Sequence, residues 1–280
     1  MSTIVVAAAV WLLVLWAFLR GSFGPSLGQW SREIAFAPTE PMSREQLFGC
    51  LLGGNFALLL RDNFNQFGSG LSERRIRGIL RHHWAIHTRF DCARVIQSRL
   101  ESLGRMSPSE KRAVAAWLAR EPIDTNEYAA LEDACTFMAR RACIARVDDL
   151  RRDHLGVLAW DIQQLACLVR LARTVDYVSK ARAEELLALL AVRARAHFAA
   201  WSDYSLAALV GLGLRGSLEV FDSAEWTRFA RTHAVFLHER WSPTFAAARW
   251  SESAGPPPAA RRTVAFTPSW SKHATAAGAS

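Results

Sequence analysis

The sequence predicts an all-α fold: a compact multi-helix domain around a central helical hairpin, preceded by one N-terminal transmembrane helix and followed by a disordered tail. Three observations carry this. The stretch Leu155–Trp201 repeats apolar residues at steps of three and four; N-cap and capping-box signals recur just ahead of apolar runs; and neither strand-length alternation nor a glycine-rich strand-to-helix loop occurs. The last of these disfavours a parallel α/β sheet. In the first half of the central stretch Leu158, Ile162, Leu165, Leu168, Val169 and Ala172 share one broad face, which must pack against other elements. Thr174–Tyr177 interrupts the pattern, Ser179 is a good N-cap, and Leu186, Leu187, Leu190 and His197 resume it.

The chain divides into an anchor over residues 1–20, a juxtamembrane linker over 21–42, a helical domain over 43–250 and a tail over 251–280. Residues Thr3–Leu19 are 17 consecutive apolar or small residues without a charge, enough for a short membrane-spanning helix. No basic residue precedes the run and no small-x-small cleavage site follows it, which argues against a signal peptide. The first positive charges, Arg20 and Arg32, lie after the run, so the positive-inside rule places the rest of the chain in the cytoplasm. The linker carries proline, glycine and serine around Trp30 and Phe36.

Within the domain a first helix starts at Ser43, with Glu45 and Gln46 in its first turn, and carries Leu47, Leu51, Leu52, Phe56, Leu59 and Leu60 until Asn63–Gly70 breaks it. Ser72 caps a short basic helix closed by Trp84 and Ile86. Another runs from about Phe90 to Leu103, with Gly104 as its C-cap. Ser107, Pro108 and Glu110 supply an N-cap, a proline at the first helical position and a capping-box carboxylate, with Val114, Trp117 and Leu118 on the buried side. Asp124 and Glu127 repeat the capping pattern ahead of Leu131, Cys135 and Met138. Ser202 caps a helix through Leu206, Leu209, Val210 and Leu214, in which Gly211 marks close helix contact. Ser223 caps the last one, with Trp226, Phe229, Val235, Phe236 and Leu237; beyond Trp250 prolines, small and polar residues predict disorder.

The 34 Lys and Arg against 26 Asp and Glu give a net charge of +8, mostly from arginine. Solubility, an anionic membrane and nucleic acid are the ordinary meanings of such a balance. Nucleic acid is disfavoured, because the Trp and Phe residues fall on apolar faces and no helix-turn-helix is recognisable. The five cysteines, Cys50, Cys92, Cys135, Cys143 and Cys167, show no CxxC spacing and sit in apolar helical contexts. They read as reduced thiols serving as small hydrophobes.

Several of these residues together resemble a bacterial family, the domain of unknown function numbered 1266. The resemblance lies in Trp84-x-Ile86, in the helix ending at Leu100, Leu103 and Gly104, in Leu158-Ala159-Trp160-Asp161, in Leu171-Ala172-Arg173, in Tyr177-Val178-Ser179, and in Trp201 with Tyr204 and Gly211. It spans roughly residues 47–217 and implies a compact helical bacterial domain, with no activity to carry over. The chain departs from the family pattern at Gln163 and Gln164, where Gly and Arg are usual, and at Asp176, where Gly is usual. If the family's Asp and Arg pair at i and i+3, this chain is left with an Asp161–Gln164 hydrogen bond.

Trp160, Asp161, Arg173, Tyr177 and Trp201 are the candidate binding residues. Asp161 is the sharpest: a carboxylate among apolar neighbours needs a partner, and it reads either as a general acid or base or, preferably, as a tether to Arg173 or an arginine elsewhere. His83, His87 and Asp91 have the i, i+4, i+8 spacing of a metal face on one continuous helix. The turn the resemblance suggests after Trp84 would destroy that face and make Thr88 or Asp91 a cap, so no metal is expected, and no cofactor. His197 and Ser202 read as core and cap. Arg170, Arg173, Arg193 and Arg195, with Arg74, Arg75, Arg77 and Arg81, outline a basic surface suited to phosphate or lipid, although solvated helix faces explain them more simply. No Ser-His-Asp, Cys-His or P-loop arrangement is present. The expectation is a protein-interaction or scaffold module on the inner face of the bacterial cytoplasmic membrane, held there by residues 3–19 and bound to a protein partner. An immunity protein of a toxin system, or a hydrolase of a phosphate-bearing substrate using Asp161, are the alternatives.

Overall fold

The computed structural model describes residues 42–60, 62–119 and 155–215 with Ala248 and Trp250, the side chains of Leu58, Leu59 and Ser202 excepted. The described residues form eight helices and no strand: α1 (Arg44–Leu52), α2 (Gly54–Leu59), α3 (Glu73–Trp84), α4 (Arg89–Glu101), α5 (Pro108–Ala119), α6 (Leu158–Thr174), α7 (Lys180–His197) and α8 (Trp201–Arg215). Among them none is long and apolar enough to cross a membrane. The expected anchor over residues 3–19, the helices expected after Asp124 and Ser223, and the expected disordered tail lie outside the described residues.

Local chemistry sets most boundaries. Ser43 Oγ accepts the Gln46 N–H at 3.2 Å while the Gln46 side chain accepts the Ser43 N–H at 2.9 Å. Thr88 and Asp91 form the same reciprocal pair ahead of α4, and Ser107 and Glu110 ahead of α5. Ser179 caps α7 by accepting the Arg182 N–H at 3.3 Å. Helix α3 ends because Ala85 turns left-handed, with φ 52°, and the Ile86 N–H returns to the Leu80 carbonyl at 3.1 Å.

The helix expected from Ser43 to Leu60 is two helices. It breaks at Gly53, where a Cβ would stand 2.7 Å from the Cys167 backbone nitrogen, so the chain bends as it crosses α6. Four smaller expectations also fail. Helix α8 starts at Trp201, with the Tyr204 N–H on the Ala200 carbonyl, so Ser202 lies inside the helix and does not cap it. Helix α4 ends at Glu101 with Ser102 as C-cap, and Gly104, at φ 74°, sits in the following loop. His197 is exposed, its Nδ1 3.0 Å from the Arg193 carbonyl oxygen, and Leu118 is 37% exposed.

The expected hairpin of α6 and α7 forms, but its two arms are unequal. Helix α6 touches α1, α2, α3, α4, α7 and α8, and thirteen of its seventeen residues are buried, so it alone is the hub. Helix α7 lies at the edge: Leu186, Leu187 and Leu190 enter the core, while Leu189 and Val192 face out. The main core gathers Phe48, Leu51, Leu52, Ile76, Leu80, Ile96, Leu168 and Trp201 around α6, and a second apolar cluster of Val114, Val157, Trp160, Leu209 and Val210 joins α5 and α8 to its start. Gly211 makes the second contact tight, since a Cβ there would stand 2.5 Å from the Trp160 Cβ. Cys50, Cys92 and Cys167 are buried free thiols, and burial pushes them up to about 11, about 12 and about 12 respectively.

Two glycines of opposite surroundings test this packing. Gly53→Ala should lower stability by about 1–3 kcal/mol, because backbone atoms must move apart. Gly78→Ala, in the middle of α3 with nothing within 4 Å of the new methyl, should raise it by about 0.5–1 kcal/mol. Urea unfolding of both variants checks the two signs; a neutral Gly53→Ala would mean that α1 and α2 do not bend against α6 as described.

Candidate functional site

Asp161 stands in the first turn of α6 and is 7% exposed, so burial without partners would strongly disfavour its charge. Its Oδ2 accepts the Gly104 N–H at 2.9 Å, and its Oδ1 accepts a hydrogen bond from the Arg215 guanidinium. Arg215 is the last residue of α8. It also donates through Nε to Glu110 Oε1 at 2.9 Å and through Nη2 to the Arg105 carbonyl at 2.6 Å. One guanidinium fork thus joins α5, α6, α8 and the loop between α4 and α5. The Glu110 carboxylate serves twice, since its other oxygen accepts the Ser107 N–H at 2.6 Å and completes the α5 cap.

Arg99 completes the cluster. It donates to Gln164 Oε1 at 2.9 Å, so the Asp161–Gln164 bond expected from the sequence is not formed: Asp161 takes Arg215 and Gln164 takes Arg99. Burial raises the Asp161 carboxyl above its usual range, and the Gly104 N–H, Arg215 and Arg99 offset only part of that. At Glu110 burial also raises, but the hydrogen bonds from Arg215 and the Ser107 N–H, with the Arg215 charge, carry the carboxyl below its usual value. Burial lowers Arg99, with the Asp161 charge opposing. Arg215 is held above its ordinary value because its two carboxylates outweigh burial.

The other candidate binding residues lie elsewhere. Of the two partners expected for Asp161, Arg173 or an arginine elsewhere, the second is found in Arg215, while Arg173 pairs with Asp176 at 3.0 Å on the turn after α6. Tyr177 donates its hydroxyl hydrogen to the His87 carbonyl and accepts from Arg77, both at 2.9 Å, which ties the α6–α7 turn to α3 and the α3–α4 turn. Trp201 is fully buried; its indole N–H reaches the Ala248 carbonyl at 3.1 Å, and its ring centroid lies 4.7 Å from Phe48 and 4.8 Å from Trp250. Trp160 packs on Phe56 at 5.1 Å. The five therefore do not converge on one pocket.

The expected basic surface is dispersed too. Arg170 is 1% exposed and donates to the carbonyls of Asn63, Gln66 and Gly68, pinning the loop between α2 and α3. The Arg195 guanidinium lies 3.8 Å from the Phe48 ring centroid, and Arg75 holds the Leu60 carbonyl at 2.9 Å. His83, His87 and Asp91 are separated by the α3–α4 turn, where Asp91 accepts from the His87 and Thr88 backbone N–H groups. No group of three or more potential metal ligands occurs among the described residues.

Sequence reasoning missed Arg215, Arg99 and the double duty of Glu110. The capping pattern located Glu110, but nothing in spacing could assign Arg215, which lies 54 residues from Asp161.

Residues 79–250 match the family described as a protein of unknown function (DUF1266). The chain belongs to this family. No curated protein and no solved structure matches it. The whole cluster, from Arg99 to Arg215, falls within the matched span. Helices α1 and α2 precede it, yet Phe48, Leu51 and Leu52 complete the core beneath it.

Two measurements probe the cluster. Arg215→Met leaves two buried carboxylates without their cation and should cost about 3 kcal/mol. Arg215→Lys should recover only part of this, because an ammonium cannot span three acceptors as a planar fork does; full recovery in urea titrations would show that the fork geometry is immaterial. Glu110 has a folded pKa below its unfolded value, so its stabilisation is complete above the unfolded value, about 4.3, and is lost as pH falls through the folded one. The stability gap between wild type and Glu110→Gln should therefore be widest near neutrality and shrink below about pH 4. A gap independent of pH would remove the charge from the account.

Proposed function

We propose that this chain is a membrane-tethered protein-interaction module, anchored by residues 3–19 with its helical domain on the cytoplasmic face of a bacterial membrane. The observation that carries the reading is how Asp161 is used. It is the residue best placed by sequence to act as an acid or base, yet both its oxygens accept hydrogen bonds that hold helices together. A general base must reach the proton it abstracts, and a carboxylate locked by an arginine fork and a backbone N–H is built for holding. Apolar side chains, meanwhile, are left on the surface: Phe90 is 72% exposed and Val192 58% exposed. Such residues suit a protein partner better than a small polar substrate.

The reading is tested by cross-linking in the native host, comparing the full chain with one lacking residues 1–20. A protein captured in stoichiometric amount by the anchored form alone is the expected result; no captured protein from either form counts against it. Asp161→Asn should lower the melting temperature while capture persists wherever the variant is folded. A substrate turned over by the wild type and lost in a folded Asp161→Asn protein would make the chain an enzyme.

A further inference from the structure

Helix α7 is amphipathic in an unusual sense, because its outer face is not charged throughout. Ala183, Leu186, Leu187, Leu190, Ala191 and Ala194 pack inward on α1 and α6, and Leu187 lies so close to α1 that a Cβ at Gly49 would stand 2.9 Å from its own Cβ. Outward, Glu185, Leu189, Val192 and Ala196 follow one another at steps of four, three and four and are all exposed, which makes a straight seam along the helix. Leu189 is 48% exposed and Val192 58% exposed. Buried α6 needs its apolar residues for the core, whereas Leu189 and Val192 stand outside the buried core set.

The charges beside this seam are ordered. Glu185 precedes Leu189 by four residues and Arg193 follows it by four. Glu185 holds Arg182 at 2.6 Å on its own helix and still exposes 59% of its side chain, so one carboxylate oxygen remains open to a second cation. In a parallel pairing of two copies, Glu185 would meet Glu185 and Arg193 would meet Arg193. In an antiparallel pairing about a two-fold axis through Leu189, each Glu185 stands level with the other copy's Arg193, and Leu189 packs on Leu189. The seam is thus self-complementary in one orientation and self-repelling in the other.

We infer that the outer face of α7 is a docking surface for a second copy of this chain, packed antiparallel through Leu189 and Val192 and set in register by Glu185–Arg193 pairs. The second copy is one partner of the interaction module proposed above, and this pairing rests on that reading. A helix of 18 residues offers a seam of about 27 Å, which buries less than the roughly 1,200 Å² at the foot of the range for stable complexes. The dimer is accordingly weak and concentration-dependent, and confinement to a membrane surface favours it.

Cysteine cross-linking of the full chain in membranes tests it, with the unsubstituted chain as background for the native thiols. Leu189→Cys, at an exposed position that leaves the core intact, should give a disulfide-linked dimer under mild oxidation. Chains carrying Glu185→Cys mixed with chains carrying Arg193→Cys should also join, whereas Ala181→Cys, whose level mate is His197, should not. Adding Glu185→Arg to Leu189→Cys should cut the dimer band at least severalfold, and the double exchange Glu185→Arg with Arg193→Glu should restore it. No Leu189→Cys dimer above background, a dimer indifferent to the charge exchanges, or self-joining of Ala181→Cys overturns the proposal. Capture of a different protein by Leu189→Cys also overturns the self-pairing, while leaving the interaction module in place.

Discussion

Helix α6 is enclosed by six other helices, and that enclosure fixes what its polar side chains can do. A buried charge is tolerable only when it is paired and hydrogen-bonded. Asp161 near the start of α6 and Arg170 near its end are both buried, so each requires partners supplied by other parts of the chain. Arg215 and the Gly104 N–H answer the first, and three loop carbonyls answer the second. Gln163, between them, is fully buried, and neither atom of its amide group meets a hydrogen-bond partner among the described residues.

The two ends of α6 therefore govern different neighbours. At its start the Arg215 fork fixes the loop between α4 and α5 and the end of α8, and the second apolar cluster, with Trp160 against Gly211, forms around that junction. At its end Arg170 shapes the loop between α2 and α3, where Asp62 adds to the order by accepting the N–H groups of Asn63 at 2.8 Å and Gly70 at 2.7 Å. Both are polar clamps on irregular backbone, and both replace hydrogen bonds that the loops could not make within a helix or sheet. The aromatic group of Phe48, Trp201, Tyr204 and Trp250 closes the core on another side, with the Tyr204 hydroxyl on the Leu52 carbonyl at 2.9 Å and the Trp250 indole on the Phe198 carbonyl at 2.6 Å.

Charge inside this fold serves to hold its helices together. The groups that chemistry would recruit, two carboxylates and two arginines within one cluster, neutralise one another inside the fold. Apolar side chains that the core does not absorb stay on the surface: α7 is one arm of the hairpin, but it keeps Leu189 and Val192 in solvent.

What the sequence determined by itself is local. The helical class, the caps at Ser43, Ser107 and Ser179 and the apolar face of α6 are all set within a few residues of where they are read, because helix periodicity and capping bonds reach no further than a turn or so; the turn after Trp84, with Thr88 or Asp91 as the cap beyond it, was implied by the family resemblance. Family membership was likewise legible from Trp84, Trp160, Tyr177 and Trp201 in order. Tertiary structure alone decided the rest. Gly53 breaks a helix because α6 crosses it; Asp161 meets Arg215 instead of Arg173; Arg170 is core and Arg193 is surface, although both sit on amphipathic helices. Each of those outcomes depends on which element lies alongside, and an ion pair between residues 54 positions apart leaves no periodic trace in either segment.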